Sequence, residues 1–126
     1  MKTASELRIG LVAARRVVVK IGSRVLIGSD GRPDLARFRA LAADISALRE
    51  KGADVVVVSS GAIGAGVHAL GLKTRPRELP DLQMAAAVGQ SRLMAIYDKV
   101  FGRLDTLVGQ VLLTYDDLKN LSLIHI

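Results

Sequence analysis

A chain of 126 residues, half of them hydrophobic, can bury one core, and nothing in its length asks for two domains. It has no cysteine and only two separated histidines, His68 and His125, which excludes a disulfide frame or thiolate metal site and leaves imidazole ligation little to build on. The formal charge of +6 comes from scattered Lys and Arg with no basic run and no interleaved aromatics, which argues against a nucleic-acid or membrane partner and leaves a solvated surface or a phosphate-bearing ligand.

Residues 1–14 read as a tail: Lys2 and Arg8 flank a short apolar patch that Glu6 interrupts, and no small-residue cleavage site follows. The longest apolar runs, residues 17–19 and 55–58, are far short of a membrane span, so a cytoplasmic protein is expected. Arg16–Ile21 is short and β-branched, ends at Gly22-Ser23, and predicts a strand buried on both faces. Residues 25–27 would extend it or pair locally before the Gly28-Ser29-Asp30-Gly31 turn.

Asp34, after Pro33, predicts a helix N-cap. Leu35, Phe38, Leu41, Ile45 and Leu48 recur at helical spacing, with Arg37, Asp44, Arg49 and Glu50 opposite, and Gly52 marks the end. Residues 55–58 predict a second buried strand, which delivers the chain into Ser59-Ser60-Gly61-Ala62-Ile63-Gly64-Ala65-Gly66. A long helix is expected from an Asp81 cap to about Phe101, with Leu82, Ala86, Leu93 and Tyr97 inward. Residues 107–113 predict a third strand, and Asp116 could open a further helix. Aromatic residues are only 3% of the chain, and the β-α-β-α-β order implies an α/β fold: a parallel sheet covered by helices on both faces. Ligands of such sheets sit at the carboxyl ends of the strands, where both glycine turns fall.

Lys20 ends the first strand. It is either a cation over a transferring phosphate, with amides at Gly22 and Ser23 approaching the same anion, or a strand-end lysine extending its ammonium to water. The Ser59–Gly66 stretch is either an anion-binding strand-to-helix turn or a tight turn whose glycines serve packing. Gly61, Gly64 and Gly66 reverse the dinucleotide spacing, and Lys73 falls one residue late for a P-loop, so both of those patterns are rejected. Asp116-Asp117 are adjacent and do not face each other on a helix; a cap plus a solvated charge is expected, with no metal site. No nucleophile–base pair can be assembled.

Val17-Val18-Val19-Lys20-Ile21-Gly22-Ser23 and Val56-Val57-Val58-Ser59-Ser60-Gly61-Ala62-Ile63 resemble the first two strand-end motifs of the amino-acid kinases. The ordered set that follows, Gly64-Ala65-Gly66, then Gln83-Met84-Ala85-Ala86-Ala87-Val88-Gly89-Gln90-Ser91-Arg92-Leu93-Met94, then Gly109-Gln110-Val111-Leu112-Leu113-Thr114, resembles their glutamate-phosphorylating branch. The resemblance implies a three-layer αβα sandwich with a mainly parallel sheet, incomplete at the C-terminus, with residues 15–120 forming the N-terminal part of the kinase domain. It implies ATP and L-glutamate as substrates, Mg²⁺ as cofactor, γ-glutamyl phosphate as product on the route to proline, and a homo-oligomer at full length. Carried over by motif, Lys20 with Gly22 and Ser23 would meet ATP phosphates, Lys20 being catalytic, and Ser60 with Gly61 and Ala62 would hold glutamate. Later Asp, Asn and Lys residues and the base pocket would lie beyond residue 126, and many members append a PUA domain, so the chain alone is expected to be inactive and to self-associate. Residues 121–126 do not fit the pattern and suggest a foreign tail. Other amino-acid kinases, and a non-catalytic binding module that keeps an anion site, stay open as alternatives.

Overall fold

The computed structural model describes residues 12–119; most of the expected N-terminal tail and all of the atypical 121–126 end lie outside them. In chain order the elements are β1 (Arg16–Ile21), α1 (Ser23–Leu26), α2 (Leu35–Glu50), β2 (Asp54–Ser59), α3 (Ala62–Ala69), α4 (Leu79–Gly102) and α5 (Tyr115–Lys119). Among the described residues no helix is long and apolar enough to cross a membrane.

β1 and β2 pair in parallel, from Arg16 opposite Asp54 to Ile21 opposite Ser59. Side chains alternate across a strand, so Val19, Ile21, Val55 and Val57 turn one face of this sheet onto the core. The other face presents Val18, Lys20, Val56 and Val58, with Val18 63% exposed. The strands are therefore half-buried among the described residues, where sequence predicts strands buried on both faces.

α2 begins where expected: the Asp34 carboxylate accepts from the amides of Ala36 at 3.1 Å and Arg37 at 3.2 Å. Phe38, Ala42 and Ile45 are its buried positions, while Leu35 is exposed. The inward stripe thus runs through Ala42. Phe38 meets Tyr97 edge to face at 5.1 Å between ring centres, and Tyr97 stacks on Phe101 at 6.3 Å. Both phenylalanines and one of the two tyrosines of the chain meet here, in a core shared with Leu26, Leu93 and Val100. Burying each large side chain contributes about 1.5–3 kcal/mol.

Three expectations are corrected. Residues 25–27 are not a strand extension: Ser23–Leu26 is a short helix, and only Ile27 pairs, in an isolated antiparallel bridge with Pro33. The Arg37 side chain donates to the carbonyls of Val25 at 3.2 Å and Arg24 at 3.4 Å, and Leu26 is fully buried, so tertiary contacts override the β-branched preference. Residues 107–113 form no strand; Leu107, Val111, Leu112 and Leu113 are exposed, and without a ladder partner among the described residues β-propensity has nothing to act on. Finally, α4 starts at Leu79 with Glu78 at the N-cap and Pro80 in the first turn, so Asp81 lies inside that turn, where its charge suits the helix dipole.

α5 opens at Tyr115, and its start is held by Thr114 and Asp117. The Asp117 carboxylate accepts from the Thr114 amide and hydroxyl at 2.7 Å, and the Thr114 hydroxyl accepts from the Asp117 amide at 3.2 Å. The bond from the Thr114 amide, then that from its hydroxyl, holds the Asp117 carboxyl below its usual 3.8.

α3 and α4 cross at two glycines. A Cβ on Gly66 would overlap the carbonyl of Ala85, and one on Gly89 would overlap the carbonyl of Ala62. Both clashes are with backbone, which no rotamer change relieves, so Gly89→Ala should force the helices apart at a cost of about 1–3 kcal/mol. Gly102→Ala, where a Cβ meets nothing within 4 Å, should be neutral or slightly stabilising. Thermal unfolding of the two variants beside the parent checks the contrast; equal midpoints would mean the crossing is looser than described.

Candidate functional site

Because β1 and β2 are parallel, both end on the same side, and the chain turns away from each through a glycine. The two ends are tied together. The Ser60 amide donates to the Ile21 carbonyl at 3.1 Å, and the Ser60 hydroxyl donates to the same oxygen at 3.1 Å. Beside it the Tyr97 hydroxyl donates to Ser59 Oγ at 2.7 Å, and Ser59 Oγ donates onward to the Ser60 carbonyl at 3.4 Å. Burial pushes the Tyr97 hydroxyl above its usual 10.0, and its bond with Ser59 pulls weakly the other way.

Gly61 closes the second turn at φ 121°, a backbone conformation that side chains disfavour. α3 follows at once, with no side chain capping it; its first intrahelical bond runs from the Ala65 amide to the Gly61 carbonyl. The amides of Ala62, Ile63 and Gly64 therefore remain as unclaimed donors at the positive end of the helix. The loop expected over Ser59–Gly66 is in fact only Ser60-Gly61, and the remaining glycines are helical.

An open cavity of about 610 Å³ lies over these turns. Four sequence-predicted residues meet at it: Ser23, Ser60, Gly61 and Ala62. Lys20 and Gly22 do not line it. Lys20 stands opposite Val58, exposed on the outer face of the sheet. The lining also includes Arg24, Arg75 and Gln90, which sequence reasoning did not single out. Gln90 lies within the motif that resembles kinases, which was its available signal; Arg24 and Arg75 carry none locally. His68 stands in the last turn of α3, beside a separate hollow of about 360 Å³. Among the described residues no three His, Cys, Asp or Glu side chains come together as a metal cluster.

A sequence model of the amino acid kinase family matches residues 15–125. The chain belongs to that family. This amino acid kinase family member is 54% identical over 110 residues to the glutamate 5-kinase of Geobacter sp. (strain M21), covering 87% of this chain and 30% of that protein. It is 48% identical over 110 residues to the glutamate 5-kinase of Listeria welshimeri, covering 87% and 40% respectively. It is 48% identical over 111 residues to that of Thermus thermophilus, covering 88% and 30%. The chain spans about 30% to 40% of the length of these curated relatives.

The hydroxyl relay predicts an alkaline effect. Tyr97 has a raised folded-state pKa, so its contribution is complete below pH 10.0 and is lost as pH rises through the raised value. Tyr97→Phe should lower stability by about 1 kcal/mol near neutral pH by removing one hydrogen bond. The variant should also flatten the fall in stability above pH 10 and abolish a late-ionising component of the absorbance titration at 295 nm. Denaturant unfolding between pH 8 and 11.5 checks the first two effects; an unchanged alkaline slope would mean that Tyr97 ionises without constraint.

Proposed function

We propose that the protein carrying this segment transfers the γ-phosphoryl group of ATP to the side-chain carboxylate of L-glutamate, giving γ-glutamyl phosphate, the entry step of proline synthesis. The observation that carries this reading is the 54% identity to a glutamate 5-kinase across the segment that holds both strand-end turns. The arrangement supports it chemically. A glutamate side chain, with an unperturbed pKa of about 4.3, is already ionised near neutral pH and needs no general base. A site without a nucleophile–base pair is then sufficient, provided it holds acceptor and donor in line and neutralises charge.

In this reading Ser60, Gly61 and Ala62 hold glutamate in the cavity. The Ser60 hydrogen is committed to the Ile21 carbonyl, so Oγ offers lone pairs, which suit the substrate's ammonium. Lys20, with Gly22 and Ser23, meets the ATP phosphates across the strand ends; Lys20 and Gly22 lie outside the cavity lining and Ser23 borders it, which suits two ligands that meet at Ser23. Lys20 would neutralise charge on the transferring group. ATP supplies the phosphoryl group. Mg²⁺ ordinarily takes oxygen ligands that include one or two carboxylates; the cavity lining has none, so these lining residues do not fit a magnesium site and no step is assigned to it. The same reading makes the full-length protein a cytoplasmic homo-oligomer and a three-layer αβα sandwich, with a further helical layer over Val18, Val56 and Val58.

The test is hydroxylamine trapping of the acyl phosphate in a full-length protein that carries this segment. Lys20→Ala should lower turnover by about a hundredfold, equivalent to ~3 kcal/mol, with little change in the glutamate KM. Ser60→Ala should raise the glutamate KM and leave the ATP KM nearly unchanged. Turnover of Lys20→Ala within threefold of the parent, or a Ser60→Ala effect confined to ATP, would refute the respective role. Glutamate binding without any trapped product would instead favour a non-catalytic binding module.

A further inference from the structure

Arg24 and Arg75 reach the 610 Å³ cavity from separate segments, Arg24 from α1 and Arg75 from the connection between α3 and α4. Among the described residues no Asp or Glu lines that cavity, so the lining itself holds no acidic partner for either arginine. Neither side chain takes part in an ion pair or hydrogen bond among the described residues, unlike Arg32, which pairs with Asp30, and Arg37, which pairs with Asp34. The backbone that carries Arg24 is nevertheless fixed, because its carbonyl and that of Val25 accept from Arg37, which is itself paired with Asp34 at 3.1 Å. Two arginines without an acidic neighbour in the lining, together with the open amides at the start of α3, bias the cavity to positive charge, and such a cavity concentrates anions.

A guanidinium fork matches carboxylate and phosphate alike. The apolar lining decides between them. Ile27, Ile63 and Ala86 share the cavity with the two arginines, which suits a ligand with a methylene stem, whereas of the three residues assigned above to phosphate Lys20 and Gly22 lie outside the lining and Ser23 alone borders it. We propose that Arg24 and Arg75 capture the carboxylate of the amino-acid substrate that is not phosphorylated, so that they anchor the substrate by its α-carboxylate and leave the side-chain carboxylate free to react. This proposal rests on the glutamate reading above and adds the residues that recognise the α-carboxylate.

The experiment is isothermal titration of the full-length protein carrying this segment with three probes: L-glutamate, L-isoglutamine, in which the α-carboxylate alone is amidated, and ATP. The parent should bind glutamate at least tenfold more tightly than isoglutamine, and the difference should shrink as ionic strength rises. Arg24→Gln/Arg75→Gln should weaken glutamate by roughly tenfold or more while leaving isoglutamine and ATP within about twofold, so that the preference collapses. A merely structural role would weaken both amino acids equally. Should the double variant fail to fold, Arg75→Gln alone, in an exposed connection, decides by the same ratio. Retention of the preference in the variant, absence of it in the parent, or a loss that falls on ATP overturns the proposal. Failure of the kinase reading is separately visible: no acyl phosphate is trapped from the parent, while the arginine-dependent preference for the carboxylate persists and supports the pair.

Discussion

The close crossing of α3 and α4 governs the geometry of the strand ends. Helix axes usually stand 8–10 Å apart, at a distance set by the side chains between them. Here Gly66 lies against the Ala85 carbonyl and Gly89 against the Ala62 carbonyl, so backbone meets backbone. That contact fixes where α3 begins relative to α4, and hence where Ala62 and its free amide stand relative to Ala86 and Gln90 on the opposite wall. Two turns further along α4, Tyr97 enters the aromatic cluster and places its hydroxyl on Ser59. A methyl group at either glycine would therefore act on packing and on the strand ends together.

The sheet contributes through its sidedness. Val19, Ile21, Val55 and Val57 pack one face against the core that α2 and α4 share, while the opposite face stays open with Val18, Lys20, Val56 and Val58. Because the side-chain period is two, the register that buries Val19 and Ile21 must turn Lys20 outward. The lysine and the serine turn consequently approach the carboxyl edge from different sides, a separation that follows from the pleat alone.

How far the sequence could be read depended on whether the relevant contact was local. The Arg16–Ile21 strand, the second strand and the Asp34 cap were legible because each is signalled by adjacent residues. Residues 107–113 were misread, and of residues 25–27 only Ile27 pairs locally, with Pro33, for one reason: Val, Ile and Leu there carry β-propensity, but a strand also requires a ladder partner, and α1 is instead held by Arg37 some twelve residues away. At the site, the Ser59–Gly66 stretch stood out as a glycine turn after a predicted strand, and the resemblance to the family singled out Ser60 within it. The Tyr97–Ser59 bond spans 38 residues and Arg75 lies in a connection of mixed composition, so no window of sequence contains either relation.

The polar groups at the cavity have a definite complementarity. Ser60 gives both its amide and its hydroxyl hydrogen to the Ile21 carbonyl, and two donors satisfy both lone pairs of that oxygen. What Ser60 still offers is an acceptor, its Oγ. The neighbouring amides of α3 and the guanidiniums of Arg24 and Arg75 are all donors, and they carry partial or full positive charge. An acceptor set beside clustered cationic donors matches a molecule that bears one ammonium and an excess of carboxylate, a description that an acidic amino acid meets and a neutral one does not. Lone phosphate would leave the Ser60 acceptor facing like charge, so on the proposed reading the acceptor substrate, and not the nucleotide, is the better occupant of this cavity.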